Sequence, residues 1–206
     1  GYAMCAILNN GRAKCWGNGG DGALGNGLTA NQNTPVDLIS PLSCAADKYV
    51  FVTSKTYDGN LGGVLGADNI CQALADRANL PGRYLAWLSD NTGSPSTRFN
   101  RALTNYKLTD GTTIANGWSD LTDGTIDNQL VVDENGNTLP NAAIWSNTAG
   151  DGYPVGNLHC KNWTTNSSAS IRGKVGNNFT TIRTWTDNNF VDAGCNAYFQ
   201  FYCFQQ

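Results

Sequence analysis

Charge is scarce in this chain. Only 14% of its 206 residues are charged, against about a quarter in ordinary soluble domains. Thirteen Lys and Arg face 16 Asp and Glu, for a formal net charge of −3. That balance gives no general positive field, so nucleic acid is excluded as a partner. Histidine occurs once, as His159. One His without a second ligand at coordination spacing makes no zinc site. There is no Cys-x-x-Cys pair, no Gly-x-Ser-x-Gly and no phosphate loop, which removes the commonest redox, esterase and nucleotide chemistries. No apolar run approaches the roughly 20 residues of a membrane helix. The opening Gly-Tyr-Ala-Met has neither the basic nor the apolar region of a signal peptide.

Uncharged polar residues fill the gap: 24 Gly, 26 Asn, 20 Thr and 11 Ser. Hydrophobic content of 40%, with six Trp, eight Tyr and seven Phe, excludes a disordered chain. The length suits one domain with a small appendage. Seven dispersed cysteines read as disulfides and predict an oxidising, extracellular or cell-surface location.

Two blocks are expected, residues 1–47 and 48–206. In the first, Cys5 to Cys15 reads as a β-hairpin about the Asn10-Gly11 turn, since both turn positions tolerate positive φ. A cross-strand Cys5–Cys15 disulfide follows from their similar distances to the turn. Cys5-Ala-Ile-Leu, Gly11-Arg-Ala-Lys-Cys-Trp-Gly, Gly22-Ala-Leu-Gly25 and Thr34-Pro35-Val36 resemble one repeat of the regulator-of-chromosome-condensation type. The opening reads as mid-repeat, which predicts a longer secreted protein. Residues 28–47 read as a linker. A lone hairpin is marginal in water, so it is expected to pack on the second block, on upstream repeats or on another subunit; where no upstream repeat completes it, another copy of the chain is the simplest cover for Ile7, Leu8 and Trp16. A homo-oligomer is predicted, a trimer by preference.

In the second block, Lys48–Ser54 reads as a strand and Ala67–Asn79 as a helix, with Ile70, Leu74 and Ala78 on one face. Pro81-Gly82 stops that helix. Arg83–Leu88 reads as a strand, Ser89–Pro140 as a long polar loop, and Asn196–Cys203 as the closing strand. Trp87 and Trp145 read as core. This order, an α+β class, resembles the C-type-lectin-like fold. Within it, Gly66-Ala-Asp-Asn-Ile-Cys71, Asn79–Ser89, Ala143-Ile-Trp145, Cys160-Lys-Asn-Trp163, Cys195-Asn-Ala-Tyr and Tyr202-Cys203 resemble endostatin. Thr56–Gly63 is similar to a bacterial endostatin-like family of undefined function. The resemblance implies the pairs Cys71–Cys203 and Cys160–Cys195, and leaves Cys44 over.

The family's functional residues do not carry across. The histidines of a zinc site are missing, and neither short sugar-binding motif around Ca²⁺ is complete. Trp185-Thr-Asp187-Asn188 is the nearest echo. Its carboxylate and amide are oxygen donors of the kind Ca²⁺ takes, so calcium is the one cation considered and no cofactor is required. Asp133-Glu-Asn-Gly-Asn137 reads as a turn. Trp118, Asp151, Tyr153, Trp185, Asp187 and Asn188 are the expected ligand face, aromatic surfaces beside hydrogen-bonding groups being what sugars need. The expected function is an extracellular, adhesin-like recognition module for a cell-surface glycan or protein, not an enzyme. The rival is a structural capping or trimerisation module.

Overall fold

The computed structural model describes residues 1–8, 13–38, 46–168, 170–188 and 191–206. The Asn10-Gly11 turn and Cys44 lie outside the described residues. The chain divides into two compact units, Gly1–Ala46 and Asp47–Gln206.

The first unit is a three-stranded antiparallel sheet of β1 (Ala3–Ile7), β2 (Ala13–Gly17) and β3 (Gln32–Asp37), in that order. Cys5 stands opposite Cys15 and is bonded to it. Gly17 has φ +107°, and a Cβ there would lie 2.3 Å from the Tyr2 carbonyl oxygen, so the hairpin requires glycine. β3 corrects the linker expectation for residues 28–47. Pro35 concealed it, but β3 is an edge strand, where a missing N–H is tolerated. Little is enclosed: Cys15 and Leu24 are buried, while every residue of β1 is exposed.

The second unit contains, in chain order, β4 (Lys48–Val52), α1 (Gly63–Arg77), β5 (Tyr84–Ala86), α2 (Pro95–Arg98), β6 (Tyr106–Leu108), β7 (Thr113–Ala115), α3 (Trp118–Leu121), β8 (Ala143–Trp145), β9 (Arg172–Asn177), β10 (Asp192–Gly194) and β11 (Tyr202–Gln205). Five strands form one sheet in the order β5-β11-β4-β6-β7, with β4 and β6 parallel. A second sheet runs β10-β9-β8. The class is mixed α+β, with more sheet than helix. The stretch 89–140 is not structureless; it carries α2, β6, β7 and α3. These pieces are three or four residues long, too short to show a period in sequence.

β11 lies between β4 and β5, so both of its edges are paired, and Tyr202, Cys203 and Phe204 are buried on its two faces. Cys203 is bonded to Cys71 on α1. On the other face, the Tyr202 ring packs on Trp185 at 5.6 Å and Phe204 on Trp87 at 5.0 Å. Trp87 also meets Phe99, Trp118 and Trp185. Trp145 forms a second aromatic centre with Trp163 and Phe199. α1 begins at Gly63, four residues before the first residue of the expected helix, because Gly62 and Gly63 take left-handed φ of +78° and +80° that lead the chain into it. Buried Asp68 on α1 accepts from the Ala86 amide at 2.9 Å and from Arg98 of α2.

Cys160–Trp163 forms one turn of left-handed helix. Four successive non-glycine residues have φ of +49°, +53°, +57° and +59°. The Trp163 amide donates to the His159 carbonyl at 2.7 Å and the Thr164 amide to the Cys160 carbonyl at 3.1 Å. The Cys160–Cys195 disulfide and the burial of Trp163 anchor this strained turn.

Candidate functional site

Two polar turns and one arginine meet on the surface of the second unit. Thr122–Gly124 follows α3, and Ala149–Asp151 belongs to the segment after β8. The turns approach so closely that a Cβ on Gly150 would lie 3.0 Å from the Gly124 Cα. With Arg183 they line a groove of about 250 Å³. Asp123 accepts from the Thr125 amide and hydroxyl at 3.0 Å each, and Asp151 accepts from the Tyr153 amide at 3.0 Å. In both cases the contacts fall on Oδ1 and fix the turn, the local self-bonding that suits Asp to such positions.

Arg183 is held from below. Its Nε and Nη2 donate to Oδ2 of Asp187 at 3.2 and 2.7 Å. Asp187 is fully buried, and its Oδ1 lies 3.7 Å from Nζ of Lys174, which is itself buried. A carboxylate this far from water survives only with paired cations. The Arg183 side chain remains 56% exposed, so the pair fixes a guanidinium at the groove wall.

The expected ligand residues separate into two sets. Asp151 lines the groove, and Tyr153, 51% exposed, follows two residues on. Trp118 is half-buried beneath the same turn; a Cβ on Gly152 would lie 3.3 Å from its ring. Arg101 stacks on Trp118 at 5.6 Å. Trp185 leaves the ligand face, being wholly buried between Trp87 and Tyr202. Asp187 is also corrected, from a ligand contact to the buried support of Arg183. Asn188 is half-buried; its amide donates to the Val175 carbonyl and its own carbonyl accepts from Val191.

Other candidates resolve into structural roles. Asp133 accepts from the Asn135 and Asn137 amides at 2.8 and 2.9 Å, which makes Asp133–Asn137 a self-capped turn. Glu134 accepts from the Ser54 amide at 2.9 Å. His159 is buried, and its Nδ1 accepts from the Asn162 amide at 2.7 Å, closing the left-handed turn. Among the described residues, no group of three or more His, Cys, Asp or Glu is placed to hold a metal ion.

Sequence reasoning missed Arg183 and Asp123 as groove residues. For Arg183 a signal existed: Arg183 and Asp187 stand at i and i+4, the spacing of an ion pair across one turn. For Asp123 none did, since an Asp-Gly turn looks the same whether or not it borders a groove. No protein-family model matches the chain, and no curated protein matches it in sequence.

Proposed function

We propose that this protein is an extracellular recognition module on an endostatin-like, C-type-lectin-like fold, at the tip of a bacterial surface or fibre protein. The groove bordered by Asp123, Asp151 and Arg183 takes a polar group of a cell-surface glycan or protein, with Tyr153 beside it. The observation that carries the reading is the groove itself: exposed charged side chains on turns that are fixed by their own hydrogen bonds. Loops held on a rigid scaffold are where recognition concentrates. Three disulfides suit an oxidising compartment. Among the described residues no helix is long and apolar enough to cross a membrane. Neither a catalytic step nor a bound metal enters this reading.

Arrays of glycans and cell-surface proteins, probed with and without chelator, test it. Saturable binding that Asp151→Ala or Tyr153→Ala weakens supports the groove. Silence across both arrays would leave the rival, a structural assembly module. One observation favours that rival: β1 is an exposed strand with no charged residue, and charges are what normally keep edge strands apart. Assembly into a homo-oligomer, a trimer by preference, is compatible with either reading and is settled by light scattering.

A further inference from the structure

The hairpin of the first unit fixes which backbone groups of β1 face outward. In an antiparallel pair, opposite residues alternate between hydrogen-bonded pairs and closer pairs whose N–H and C=O groups point away from each other. The Asn18 amide donates to the Tyr2 carbonyl at 3.0 Å, which makes Tyr2 a bonded position. Along the same register, Met4 opposite Trp16 and Ala6 opposite Lys14 are bonded positions too. Cys5 and Cys15 stand opposite each other with Cα atoms 4.1 Å apart, the close spacing of a non-bonded pair. The N–H and C=O groups of Ala3, Cys5 and Ile7 therefore point to the outer edge of the sheet. Among the described residues no strand pairs with that edge.

Three properties of this edge select its partner. The first is neutrality. Tyr2 to Leu8 contains no charged side chain, so nothing repels an apolar strand and nothing attracts a charged one. Tyr2 is 93% exposed and Ile7 74% exposed. The second is self-complementarity. About a two-fold axis at Cys5, Ala3 meets Ile7 of a second copy, Met4 meets Ala6 and Tyr2 meets Leu8. Every pair is apolar, and at Ala3 and Ala6 a small side chain meets a large one. The outward groups of Ala3, Cys5 and Ile7 then fall opposite their counterparts and form roughly six hydrogen bonds. The third is closure. The far edge of the sheet is β3, where Pro35 has no N–H and Asp37 carries a charge 3.4 Å from Lys14 Nζ. The sheet extends at β1 alone, and an isologous contact closes with two copies.

We infer that β1 is a homodimerisation edge: two copies join antiparallel through Tyr2 to Leu8, and their three-stranded sheets become one. This gives the assembly proposed above a surface and a symmetry, and it does not depend on the groove of the second unit. The product is a dimer, in place of the trimer expected from the sequence, because a strand edge that matches itself about a two-fold joins copies in pairs. One strand from each copy buries far less than the about 1,600 Å² of a standard interface, so the dimer dissociates on dilution.

Sedimentation equilibrium of the intact chain from about 2 to about 200 μM should show a reversible monomer–dimer equilibrium. Ala3→Lys with Ile7→Lys sets like charges directly opposite across the two-fold and should weaken association at least about tenfold. Ala3→Glu with Ile7→Glu should do the same. Mixing the two variants should restore a heterodimer, since each Lys then meets a Glu. Thr34→Lys, exposed on β3, should leave association unchanged. All these positions are exposed, and thermal unfolding confirms that each variant is folded. A chain that stays monomeric at about 200 μM, a trimer, a dimer indifferent to the lysine pair, or folded variants that do not recover on mixing each overturn the inference. The arrays report separately on the second unit. A monomer that binds a glycan or protein there would keep the recognition reading and overturn this pairing, and a dimer silent on both arrays would keep the pairing and overturn the recognition reading.

Discussion

Asp68 and its partners define what single residues contribute here. The carboxylate, on α1, accepts from the amide of Ala86 at the end of β5; its side chain is 9% exposed, and the Arg98 side chain is 17% exposed. Arg98 also donates to the Leu88 carbonyl at 3.2 Å. Removing the cation strands a buried charge, which costs far more than a surface pair is worth. Arg98→Ala should therefore lower unfolding free energy by about 3 kcal/mol in a urea titration, and Arg98→Lys by less, since it keeps the charge but loses the fork. A loss below about 1 kcal/mol for the alanine variant would place the pair among weak surface bridges. The tyrosines give a pH test. Burial pushes the hydroxyls of Tyr84, Tyr106 and Tyr202 up from the ordinary value near 10. The unfolded chain then ionises first, so their contribution is complete below about pH 10 and is lost as pH rises beyond it. Phenolate absorbance should rise in two stages, with the second coinciding with loss of the fold. A single smooth titration of all tyrosines in a still-folded protein would contradict their burial.

Among elements, the left-handed turn at Cys160–Trp163 is the most unusual. Left-handed helix costs an L-residue roughly 1–2 kcal/mol, and Lys161 is an exposed member of the turn. Lys161→Gly should thus be neutral or stabilising by up to about 1 kcal/mol. Ala73→Gly, at an exposed position of right-handed α1, should cost about 1 kcal/mol. The opposite order in matched chemical melts would show that the turn is unstrained. Nothing in Cys160-Lys-Asn-Trp163 announced this geometry, because handedness is imposed by the disulfide and by Trp163 rather than by propensity. α1 was legible from its apolar face, as was β4 from its β-branched and aromatic content. β3 was not, since Pro35 argues locally against a strand and only the partner β2 makes it one. The candidate site was legible in part for a related reason. Asp151 and Tyr153 sit in a polar loop and stay outside, but Trp185 and Asp187 sit in an equally polar loop and turn inward. Composition does not distinguish the two cases; the aromatic centre at Trp87 and the cations Lys174 and Arg183 do.

On the scale of the whole molecule, the three disulfides constrain very different lengths of chain. Cys71–Cys203 spans 132 residues, Cys160–Cys195 spans 35 and Cys5–Cys15 spans 10. In the chain-entropy account, stabilisation grows with the logarithm of the loop, giving about 5, 4 and 3 kcal/mol respectively. The longest loop also ties α1 to β11, an interior strand of the five-stranded sheet. That sheet joins the beginning and end of the second unit through β4 and β11, a non-local pairing whose loop entropy must be overcome before contacts form. Five of the six tryptophans, all except Trp16, belong to the second unit, so tryptophan fluorescence reports mainly on that unit. Paired Cys→Ser variants should accordingly shift the fluorescence transition most for Cys71 with Cys203, less for Cys160 with Cys195, and least for Cys5 with Cys15. The first variant should also refold most slowly after dilution from urea, because its largest loop must then close without a covalent tie. If the Cys5–Cys15 variant destabilised the fluorescence transition as much as the Cys71–Cys203 variant, loop length would not be what sets stability in this chain.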